Sequence, residues 1–334
     1  MFSPFIHDAY ARLESLCSSG MGLTFPNPNV AAVLYDKDGN FIAGGFHNRR
    51  ESRDHAEVVA INQAGAAARG GTIVVSLEPC AHTGSTPPCA QAIIDAGIAK
   101  VIYAVSDPNP LAAGGADKLI AAGLIVEHHP APTLEFLQRA WLHKVRTGRA
   151  LMIWKVAITL DGKVTAIDGS SQWISGEESR ADVQRIRSQS DAILVGTNTA
   201  LIDNPHLIPR GFTHRPTRII FGEQEIPLSH KVFDDEARTL LVKSKSITEL
   251  LQLVKTEGFN QVLVEAGPTL GSALLQAGAI DEIIIYQAPK LFGSGKSFVA
   301  DLGISTISEH IPLNLISVEK IGNDIKSHYE VKGR

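Results

Sequence analysis

One stretch of the chain, residues 55–89, constrains the fold more than any other part of the sequence. It contains three short motifs: His-Ala-Glu at 55–57, Glu-Pro-Cys at 78–80 and Thr-Pro-Pro-Cys at 86–89. One His and two Cys beside a non-ligand Glu are what a catalytic zinc ion needs: three protein ligands, a fourth position for water and a carboxylate to move the water's proton. The sequence therefore predicts a hydrolytic zinc site, with His55, Cys80 and Cys89 as ligands and Glu57 as the catalytic acid and base.

The residues around this stretch predict that the four groups lie near helix N-termini. Asp54 is a suitable N-cap for a helix that places His55 and Glu57 in its first turn. A strand predicted at 72–77 leads to the first cysteine, and a helix predicted at 89–96 after two prolines carries the other in its first turn. The partial positive charge at a helix N-terminus favours thiolate over thiol, as metal binding requires.

A structural zinc ion that only holds loops together is the alternative interpretation. It requires a fourth side-chain ligand, for which His82 or His47 is available. Structural sites usually have four closed positions, whereas this stretch offers three ligands with an acid beside one of them, which favours catalysis. A His-x-Glu triplet followed by Pro-Cys and Cys is typical of zinc-dependent base deaminases, although the gap between the cysteines is longer here. In that reaction class hydroxide attacks an amidine-like ring carbon, the Glu shuttles protons and ammonia leaves.

Alternating strands and helices predict the fold class. At 334 residues the chain exceeds the size at which one hydrophobic core usually stops growing, so two domains are expected. The pattern in the first half predicts a three-layer α/β sandwich, and a second α/β pattern starts at Leu151. The predicted division lies at Thr147-Gly148-Arg149, giving domains 1–146 and 147–334.

Composition and charge argue against several classes of function. A formal charge of -4 and the lack of a run of five or more basic residues disfavour nucleic acid as a partner. Charged residues at positions 8, 12 and 14 interrupt the N-terminal segment, so no secretory signal is expected, and no apolar run is long enough to span a bilayer. Three cysteines do not build a disulfide framework, so a reducing, cytoplasmic location is expected. Cys17 is predicted to be a small buried residue without a role.

Several segments of the first domain resemble the deaminase half of the bifunctional deaminase/reductase family of riboflavin biosynthesis. The segments are 24–28 (Thr-Phe-Pro-Asn-Pro), 55–57, 77–80 (Leu-Glu-Pro-Cys), His82, 86–89, 96–98 (Ala-Gly-Ile) and 107–110 (Asp-Pro-Asn-Pro). The resemblance covers this domain almost end to end. It implies a cytidine-deaminase-like α/β/α fold and, as substrate, a diaminohydroxy pyrimidinone with a ribosylamino phosphate. It also implies that Asn27, His47 and His82 line the substrate pocket; on their own these would be turn or exposed polar residues.

One position departs from the family pattern. The family usually has Lys or Arg just before the Thr-Pro-Pro-Cys segment, where this chain has Ser85. A cation at that position could hold the substrate's phosphate or orient its ring. Arg49, Arg50 and Arg53, in a basic loop before the first zinc ligand, are the candidates to supply that contact instead.

The second domain carries weaker motifs. It lacks the Gly-x-Gly-x-x-Gly of a Rossmann site after a strand. Residues 293–297 (Gly-Ser-Gly-Lys-Ser) end like a P-loop, but the glycine required five residues before Gly295 is Lys290, so a glycine-rich loop over a ligand is expected instead. Residues 262–271 predict a buried strand ending in Glu265 and a small-residue turn into a helix, whose N–H groups suit a phosphate or pyrophosphate. Glycine at such a turn is also common for backbone reasons alone.

Segments of this domain resemble the reductase half of the same family. They are 155–162 (Lys-Val-Ala-Ile-Thr-Leu-Asp-Gly), 170–174 (Ser-Ser-Gln-Trp-Ile), Arg187, 191–193 (Asp-Ala-Ile), 203–205 (Asp-Asn-Pro), Arg210, 265–267 (Glu-Ala-Gly) and 288–290 (Ala-Pro-Lys). The resemblance implies a dihydrofolate-reductase-like α/β fold that uses NADPH to reduce the ribosyl group of the deaminated product to ribityl. The cofactor-contacting positions that it implies are Ala157, Trp173, Thr199, Asp203, Gly267, Pro268, Thr269 and Leu270. The substrate-contacting positions that it implies are Ser171, Arg187, Leu207, Arg210 and Glu265.

Physical chemistry supports part of this assignment. Arg187 and Arg210 are suited to binding a phosphate, and Glu265 could hold ribose hydroxyls. The ordinary interpretations are that Trp173 belongs to the core, that Arg187 is a solvated helix residue and that Asp203 forms a turn. The residues identify neither a proton donor for the reduction nor a basic pair for the 2′-phosphate of the cofactor. The choice of NADPH over NADH therefore rests on the resemblance.

Three interpretations of the whole chain follow. The leading one is a bifunctional enzyme of riboflavin biosynthesis, in which a Zn2+-dependent deaminase is joined to an NADPH-dependent reductase. The second is a zinc deaminase of another free base or nucleotide with a non-catalytic, ligand-binding C-terminal domain. The third is a non-catalytic binding protein in which zinc only holds loops together (a zinc-stapled binding protein), and it predicts four protein ligands to the zinc ion. The expected partner of the leading interpretation is a small molecule, and assembly into a homo-oligomer is left open by the sequence.

Overall fold

The chain folds into two compact units. The computed structural model describes residues 3–83, 87–110, 112 and 114–332, and the units are Met1–Gly148 and Arg149–Arg334. Gly148 ends the last helix of the first unit in a left-handed conformation with φ 74°, which glycine adopts without steric cost. The division predicted after residue 146 falls in the last turn of that helix.

The described part of the first unit is a five-stranded sheet with helices on both faces. The strands are β1 (Ala31–Tyr35), β2 (Phe41–Phe46), β3 (Thr72–Val75), β4 (Lys100–Tyr103) and β5 (Ile125–His128). The helices are α1 (Pro4–Gly20), α2 (Ala56–Ala64), α3 (Cys89–Asp95), α4 (Gly115–Ala121), α5 (Pro132–Leu137) and α6 (Arg139–Thr147). The strand order is β2-β1-β3-β4-β5, with β1 antiparallel to both neighbours and the last three strands parallel. Because α1 packs with α5, and α2 with α3 and α3 with α4, the unit has the three layers that the sequence predicts.

The core of this unit follows from the periodicity of its sequence. α1 buries Ile6, Ala9, Leu13 and Cys17 along one face at helical spacing. All five residues of β1 are buried because helices cover both faces of the sheet. Cys17 is fully buried, as predicted. This core supports the loops that leave β3 and β4, and those loops carry the candidate site.

Two local predictions for this unit are wrong. Asp54 is not the N-cap of α2, because the extended backbone of His55 (φ -75°, ψ 161°) takes that position. The carbonyl of Asp54 instead accepts a hydrogen bond from His47 Nδ1 at 2.8 Å. The pattern of residues 134–145 predicts one connecting helix, but the structure has two helices here, α5 and α6, which meet at Gln138. The buried Gln138 side chain donates to the Ser76 carbonyl at 2.9 Å, a tertiary contact that the local pattern does not reveal.

The described part of the second unit is a mixed eight-stranded sheet with four α-helices. The strands are β6 (Leu151–Thr159), β7 (Ala192–Gly196), β8 (Thr217–Phe221), β9 (Thr239–Val242), β10 (Gln261–Val264), β11 (Glu282–Ala288), β12 (Leu313–Ile321) and β13 (Asp324–Val331). The helices are α7 (Glu177–Ser188), α8 (Thr197–Asp203), α9 (Ile247–Glu257) and α10 (Pro268–Gln276). The order is β12-β13-β11-β6-β10-β7-β8-β9, and β13 is antiparallel to β11 and β12 while β6 to β11 are parallel.

The strand order of this sheet has a switch point at β10. β10 lies between β6 and β7, so the chain order changes direction there, and the carboxyl ends of these three parallel strands lie side by side. Open α/β sheets bind ligands at the carboxyl ends of strands where such a change occurs. The sequence pattern predicts strands at 151–158, 192–195, 218–221, 240–242, 261–264 and 282–287, and all six form as β6 to β11, whereas α8, α9, β12 and β13 are not predicted from the sequence.

Among the residues that the structure describes, every helix falls short of the length and apolar character that crossing a membrane requires.

Candidate active sites

Three side chains from separate elements of the first unit meet beside α2. His55 Nδ1 lies 3.2 Å from Cys89 Sγ and 3.7 Å from Cys80 Sγ, and the ligand atoms all lie within 4.8 Å of one another. His55 is the N-cap of α2, Cys80 follows β3, and Cys89 begins α3. The backbone N–H of Cys89 also donates to Cys80 Sγ at 3.4 Å. One imidazole and two sulfurs in this arrangement are a donor set that suits zinc.

The electrostatics of this cluster suit a dication. The hydrogen bond between the two thiols lowers the pKa of Cys80 to about 4 and raises the pKa of Cys89, so the pair shares one proton. The hydrogen bond with Cys80 also raises the pKa of His55. Protons are therefore drawn to a site with concentrated negative charge. A metal ion that binds there would displace these protons, as metal binding to Cys and His generally does.

Glu57 lies in the first turn of α2 and is almost completely buried. Its Oε2 atom has no hydrogen-bond partner among the residues that the structure describes. Burial raises the pKa of this carboxyl group, which brings it closer to the range in which proton transfer is efficient at neutral pH. The position suits a group that takes up and releases a proton beside the cluster.

A cavity of about 250 Å³ opens onto the cluster. Six of the predicted site residues of the first domain line it: Asn27, His47, His55, Glu57, Cys80 and His82. The seventh, Cys89, is fully buried behind them. Trp141 of α6 adds an aromatic wall, which the sequence analysis does not include. The structure thus brings together the side chains that the motifs and the resemblance select.

A short hydrogen-bonded chain orients two of the predicted substrate contacts. Asn27 Nδ2 lies 3.0 Å from His47 Nε2, and His47 Nδ1 donates to the Asp54 carbonyl. His47 therefore carries its proton on Nδ1 and accepts from Asn27 at Nε2. Burial lowers the pKa of His47, which favours this neutral form. The centroid of the His47 ring also lies 5.5 Å from that of the His55 ring, so this series of hydrogen bonds ends beside a proposed metal ligand.

Two acidic residues of this cavity are missed by the sequence analysis as site residues, although both lie in its motifs. Glu78 accepts from the backbone N–H of Ala116 at 3.2 Å and from that of Asp107 at 3.4 Å, so it ties the start of α4 to the loop after β4. Burial raises the pKa of Asp107 to about 6. A Cβ at Gly115 would lie 1.6 Å from the Pro79 carbonyl oxygen, so α4 approaches the cysteine loop closely only because this residue is glycine.

The replacement for the family's basic residue remains a prediction. Ser85 lies outside the described residues, as does Thr86 of the same motif. Arg49, Arg50 and Arg53 are exposed, and none of them is among the described residues that line the cavity.

In the second unit, the predicted cofactor and substrate residues gather at the carboxyl ends of β6, β10 and β7. Ala157 lies near the end of β6, and Ser171 and Trp173 lie in the segment that follows this strand. Glu265 and residues 267–270 follow β10. Thr199 and Asp203 lie in α8, directly after β7, with Asp203 as the last residue of that helix. The strand order therefore brings these residues, which are far apart in the sequence, to the carboxyl end of the same sheet.

Arg187 is bound to Glu265 rather than solvated. Its Nε and NH2 groups donate to Glu265 Oε1 and Oε2 at 2.6 and 2.8 Å, and Lys155 Nζ lies 3.3 Å from Oε2. Burial by itself raises the pKa of Glu265, but the two cations outweigh it and lower the pKa to about 2. Because this guanidinium already binds a carboxylate, it is less suited to a phosphate than the sequence analysis expects.

The loop that carries Leu207 and Arg210 packs against α7. Arg210 is exposed, and its backbone N–H donates to Gln184 Oε1 at 3.0 Å. Leu207 is buried and has a positive φ of 57°. Gln184 lies one turn from Arg187 on α7, so the loop and the Arg187 ion pair lie near the same helix turn.

The turn from β10 into α10 is shaped by Trp154 of β6. Trp154 Nε1 donates to the Ala266 carbonyl at 3.0 Å, and a Cβ at Gly271 would lie 2.1 Å from the indole ring. At Gly267, the N-cap of α10, an added Cβ would meet nothing within 4 Å. The space beside this helix N-terminus is therefore open at Gly267, which would admit a pyrophosphate.

Trp173 is an exposed residue, not a core residue. Its side chain is 65% exposed, and the Arg180 guanidinium stacks 4.8 Å from the ring centroid. Lys290 Nζ donates to the carbonyls of Trp173 and Ile174 at 2.8 and 2.7 Å, and so holds this segment to the end of β11. Lys290 therefore positions the Trp173 segment, a role that its place in the Ala-Pro-Lys motif at 288–290 does not reveal.

Residues 293–297 do not form a P-loop. The described residues after this loop do not form the helix that a P-loop requires, and Lys163 instead forms an antiparallel bridge with Ser297. Asp161 accepts from the backbone N–H groups of Phe292 and Gly293 at 3.2 and 2.7 Å, which fixes the start of the loop to the end of β6.

Two family descriptions match the chain. "RibD C-terminal domain" matches residues 150–327, and "Cytidine and deoxycytidylate deaminase zinc-binding region" matches residues 7–105. The riboflavin biosynthesis protein RibD of Mycobacterium tuberculosis is 44% identical over 315 residues, which cover 91% of each chain. The riboflavin biosynthesis protein RibD of Escherichia coli is 36% identical, and the match covers 95% of this chain and 97% of the relative.

Solved structures agree over nearly the whole chain. RibD of Acinetobacter baumannii matches with a TM-score of 0.88 at 34% identity, over 98% of this chain and 100% of its own. A Thermotoga maritima protein matches with a TM-score of 0.89 at 30% identity, over 98% of this chain and 99% of its own. Its title describes it as a diaminohydroxyphosphoribosylaminopyrimidine deaminase/5-amino-6-(5-phosphoribosylamino)uracil reductase.

A cytidine-deaminase-like domain with a zinc-binding region, followed by a dihydrofolate-reductase-like domain, defines a bifunctional deaminase/reductase. The predicted fold class and enzyme class are thereby confirmed. The chain belongs to the RibD family of riboflavin biosynthesis proteins.

Proposed function

We propose that this chain deaminates diaminohydroxyphosphoribosylaminopyrimidine and then reduces the ribosyl group of the product to ribityl with NADPH. The first step is assigned to residues 1–146 and the second to residues 147–334. The observation that carries the proposal is the cluster of His55, Cys80 and Cys89, which lies beside buried Glu57 at one cavity. The activities printed for the Thermotoga maritima relative support this choice of substrate.

For the deamination, His55, Cys80 and Cys89 would hold zinc, and Glu57 would move protons. When bound, zinc supplies a Lewis acid that lowers the pKa of water toward neutrality. Glu57 Oε2 would take a proton from the attacking water and deliver it to the leaving amino group. The balanced reaction converts a ring C–NH2 to C=O with one water and releases ammonia.

The other cavity residues would orient the pyrimidine ring. His47 holds the Asn27 amide in place through the 3.0 Å contact, and both side chains line the cavity. His82 and Asp107 add polar groups at the same wall, and Trp141 adds an apolar surface for the ring. This combination of a few polar groups with an aromatic wall is typical of small-molecule sites.

For the reduction, the carboxyl edge of the second sheet would hold NADPH. The residues that would hold it are Ala157, Trp173, Thr199, Asp203, Gly267, Pro268, Thr269 and Leu270. NADPH supplies the hydride, and the open N-terminus of α10 at Gly267 suits its pyrophosphate.

The substrate of the reduction would lie beside the ion pair of Arg187 and Glu265. The ionised Glu265 carboxylate suits contact with ribosyl hydroxyls. Exposed Arg210 would bind the phosphate, because Arg187 is already paired. Ser171 and Leu207 complete the proposed contacts.

We also propose a cytoplasmic location and a small-molecule partner. Cys80 and Cys89 must remain thiols to bind a metal, and a reducing compartment keeps them so. The net charge of -4 does not favour the binding of a nucleic acid, which is a polyanion.

The experiment is incubation of the full chain with the pyrimidine ribotide, with and without NADPH. Ammonia release is expected in both cases, and a product that has gained two hydrogen atoms is expected only with NADPH. No ammonia from this ribotide would mean that the substrate is another base. Ammonia release without NADPH oxidation, even with the deaminated product supplied, would favour the alternative of a non-catalytic C-terminal domain.

A further inference from the structure

One face of α7 carries three side chains that contact the proposed reductase site. The Arg180 guanidinium lies 4.8 Å from the centroid of the Trp173 ring. Gln184 Oε1 accepts from the backbone N–H of Arg210, and Arg187 forms the ion pair described above. Positions 180, 184 and 187 follow the spacing of a single helix face, which we call the site face. The position of α7 therefore sets the arrangement of proposed cofactor and substrate contacts.

The neighbouring face of α7 is attached to the sheet by buried polar groups. Asp182 Oδ2 accepts from the Tyr286 hydroxyl at 2.6 Å and lies 2.8 Å from Lys326 Nζ. Tyr286 of β11 and Lys326 of β13 are paired across these strands, and both are buried. In the first turn of the helix, the Ser179 hydroxyl donates to Asp324 Oδ2 at 2.6 Å. Because one residue turns a helix by about 100°, this face lies directly beside the site face.

Asp182 is ionised in this arrangement. Burial by itself would raise the pKa of Asp182, but the hydrogen bonds from Lys326 and Tyr286 outweigh burial and lower the pKa. Burial and the hydrogen bond to Asp182 raise the pKa of Tyr286, so the phenol keeps its proton and donates it. One carboxylate thus accepts from a hydroxyl of β11 and an ammonium group of β13, and both contacts depend on direction and distance.

Apolar packing alone would define the position of α7 less sharply. Of the five buried residues of this helix, only Val183 and Ile186 are apolar. Apolar packing is non-directional, whereas a shift of the helix along its axis would break the hydrogen bonds of Asp182 and leave its charge buried and unpaired. A buried ion pair adds little net stability compared with apolar packing, and its best-attested use is to fix a register.

We propose that Asp182, Tyr286 and Lys326, the register cluster, fix α7 along its axis and thereby place its site face at the reductase site. The proposal rests on the reductase function proposed above. Asp182 is a positioning residue, because its described contacts are with Tyr286, Lys326 and Arg185 rather than with the proposed ligand positions. Its contact with Arg185 lies within α7, so it does not attach the helix to the sheet.

The first test is Asp182→Asn in the full chain, assayed for NADPH oxidation with supplied deaminated product. The amide keeps the size of the side chain but removes its charge, so Lys326 loses its counter-ion. The KM for the deaminated product is expected to rise at least about tenfold, the equivalent of one lost hydrogen bond to a charged group. A purely structural defect would lower the fraction of folded enzyme, and hence kcat, at an unchanged KM.

Arg185→Met is the matched control, because it removes the other partner of the same carboxylate. Arg185 is exposed and belongs to α7 itself, and exposed pairs of this kind contribute little. Its KM for the deaminated product is expected to stay within about twofold of the wild-type value. Ammonia release is expected at the wild-type rate in both variants, since the proposed deaminase residues lie in the other unit.

A fully apolar cluster separates positioning from stability. The combined variant Asp182→Leu, Tyr286→Phe and Lys326→Met leaves no buried charge unpaired, so it is expected to unfold at or above the temperature of Asp182→Asn. Its KM for the deaminated product is nevertheless expected to remain raised, because no directional contact fixes α7. A KM that returned to the wild-type value together with the stability would overturn the proposal.

Hydrogen exchange measured by mass spectrometry provides a readout that does not require turnover. Residues 171–175 and 203–210 are held by Arg180 and Gln184 of the site face. Their amides are expected to exchange faster in Asp182→Asn than in Arg185→Met. Wild-type protein that oxidises no NADPH would refute the proposed reductase function, and the exchange comparison would still decide the role of the register cluster. Equal exchange in the two variants, or a wild-type KM in Asp182→Asn, would overturn the proposal.

Discussion

At the residue scale, Glu57 shows why burial and function go together in this protein. An ionised carboxylate without a partner is costly in a protein interior, and its pKa rises until the proton is retained. Glu57 nevertheless lies buried beside His55, and its Oε2 atom has no hydrogen-bond partner among the described residues. A group in such a position is suited to exchanging a proton with a bound molecule.

Replacing Glu57 with Gln tests this role, since the amide keeps the shape but cannot transfer the proton. Deamination is expected to fall by on the order of 10³-fold. Zinc content is expected to stay at the wild-type level, because the proposed ligands are His55, Cys80 and Cys89. Ammonia release and elemental analysis of the purified variant give the two values.

His55→Ala is the comparison for this variant and is expected to lose both zinc and activity. Loss of zinc from Glu57→Gln would show that the carboxylate is a ligand. Unchanged function in Glu57→Gln would favour the zinc-stapled binding protein.

The ion pair of Arg187 and Glu265 predicts a dependence of stability on acid pH. The folded-state pKa of Glu265, about 2, lies below its ordinary value of 4.5. Its contribution to stability is therefore complete above pH 4.5 and is lost as the pH falls from 4.5 to 2. The size of this contribution is on the order of 3 kcal/mol. Urea unfolding of the full chain between these pH values, comparing wild type with Glu265→Gln, measures it.

Glu223→Gln is the control for this experiment, because Glu223 forms an exposed pair with Lys245. Its acid dependence should match that of the wild type. A Glu265→Gln variant with an unaltered acid dependence would contradict the assigned role of the buried pair.

At the scale of elements, the contact between β6 and α10 determines the shape of the proposed cofactor site. The Trp154 indole occupies the space beside Gly271, and its N–H binds the Ala266 carbonyl just before α10. A strand and a helix thus hold the intervening turn open at Gly267.

Gly271→Ala is expected to destabilise the second unit, since its Cβ would lie 2.1 Å from the Trp154 ring. Overpacking of this kind costs about 1–3 kcal/mol of unfolding free energy. Gly267→Ala is the matched control, because its Cβ meets nothing within 4 Å and its φ of -68° suits alanine. Thermal unfolding of both variants measures the difference, and equal stability of the two would contradict this packing.

The Trp173 segment depends on Lys290 for its position. Lys290→Met removes both hydrogen bonds to the carbonyls of Trp173 and Ile174. If Trp173 contacts NADPH, the KM for NADPH is expected to rise about tenfold, the equivalent of roughly one lost hydrogen bond to a charged group, with a smaller change in kcat.

Lys255→Met is the control for this variant, because Lys255 is exposed in the last turn of α9, which precedes β10 and so lies away from the carboxyl ends of the strands. Steady-state kinetics with the deaminated product provide both constants. A fall in kcat with an unchanged KM would mean that Lys290 does not act through cofactor binding.

At the scale of the whole molecule, each compact unit contains one complete set of candidate residues. The first set lies between Asn27 and Trp141, and the second between Lys155 and Lys290. Among the described residues, the members of each set all lie within one unit. The two activities are therefore expected to be separable in the intact chain.

Removal of the metal tests this separation. A chelator is expected to abolish ammonia release from the intact chain while NADPH oxidation with supplied deaminated product continues at the untreated rate. Added zinc should restore deamination. A parallel loss of both activities would show that the metal also supports the second unit.

The sequence predicted the first site more completely than the second. His and Cys, the residue types of the three proposed metal ligands, have few alternative uses, and short motifs place these ligands and Glu57 at the start of a helix or after a strand. In the second unit, Arg187 and Glu265 are common residue types separated by 78 positions, and their pairing depends on the packing of α7 beside β10.

Elements without a clear pattern were missed for identifiable reasons. β12 has an irregularity between Leu315 and Ser317, which breaks the alternation that predicts a strand. The break at Gln138 depends on a hydrogen bond to Ser76, 62 residues away. α9 shows the reverse case, because its buried residues Leu250 and Val254 have a helical spacing that is sufficient to indicate a helix.

The sequence by itself determined the chemistry of residues 55–89, the α/β class and the family, because ligand type, spacing and periodicity are local properties. Only the tertiary structure decided that Trp173 is exposed, that Arg187 binds Glu265 and that Glu78 links α4 to the cavity. It also decided which face of β12 and β13 remains uncovered. These properties depend on which distant segments pack together, and packing is set by the whole sheet rather than by any one stretch of the chain.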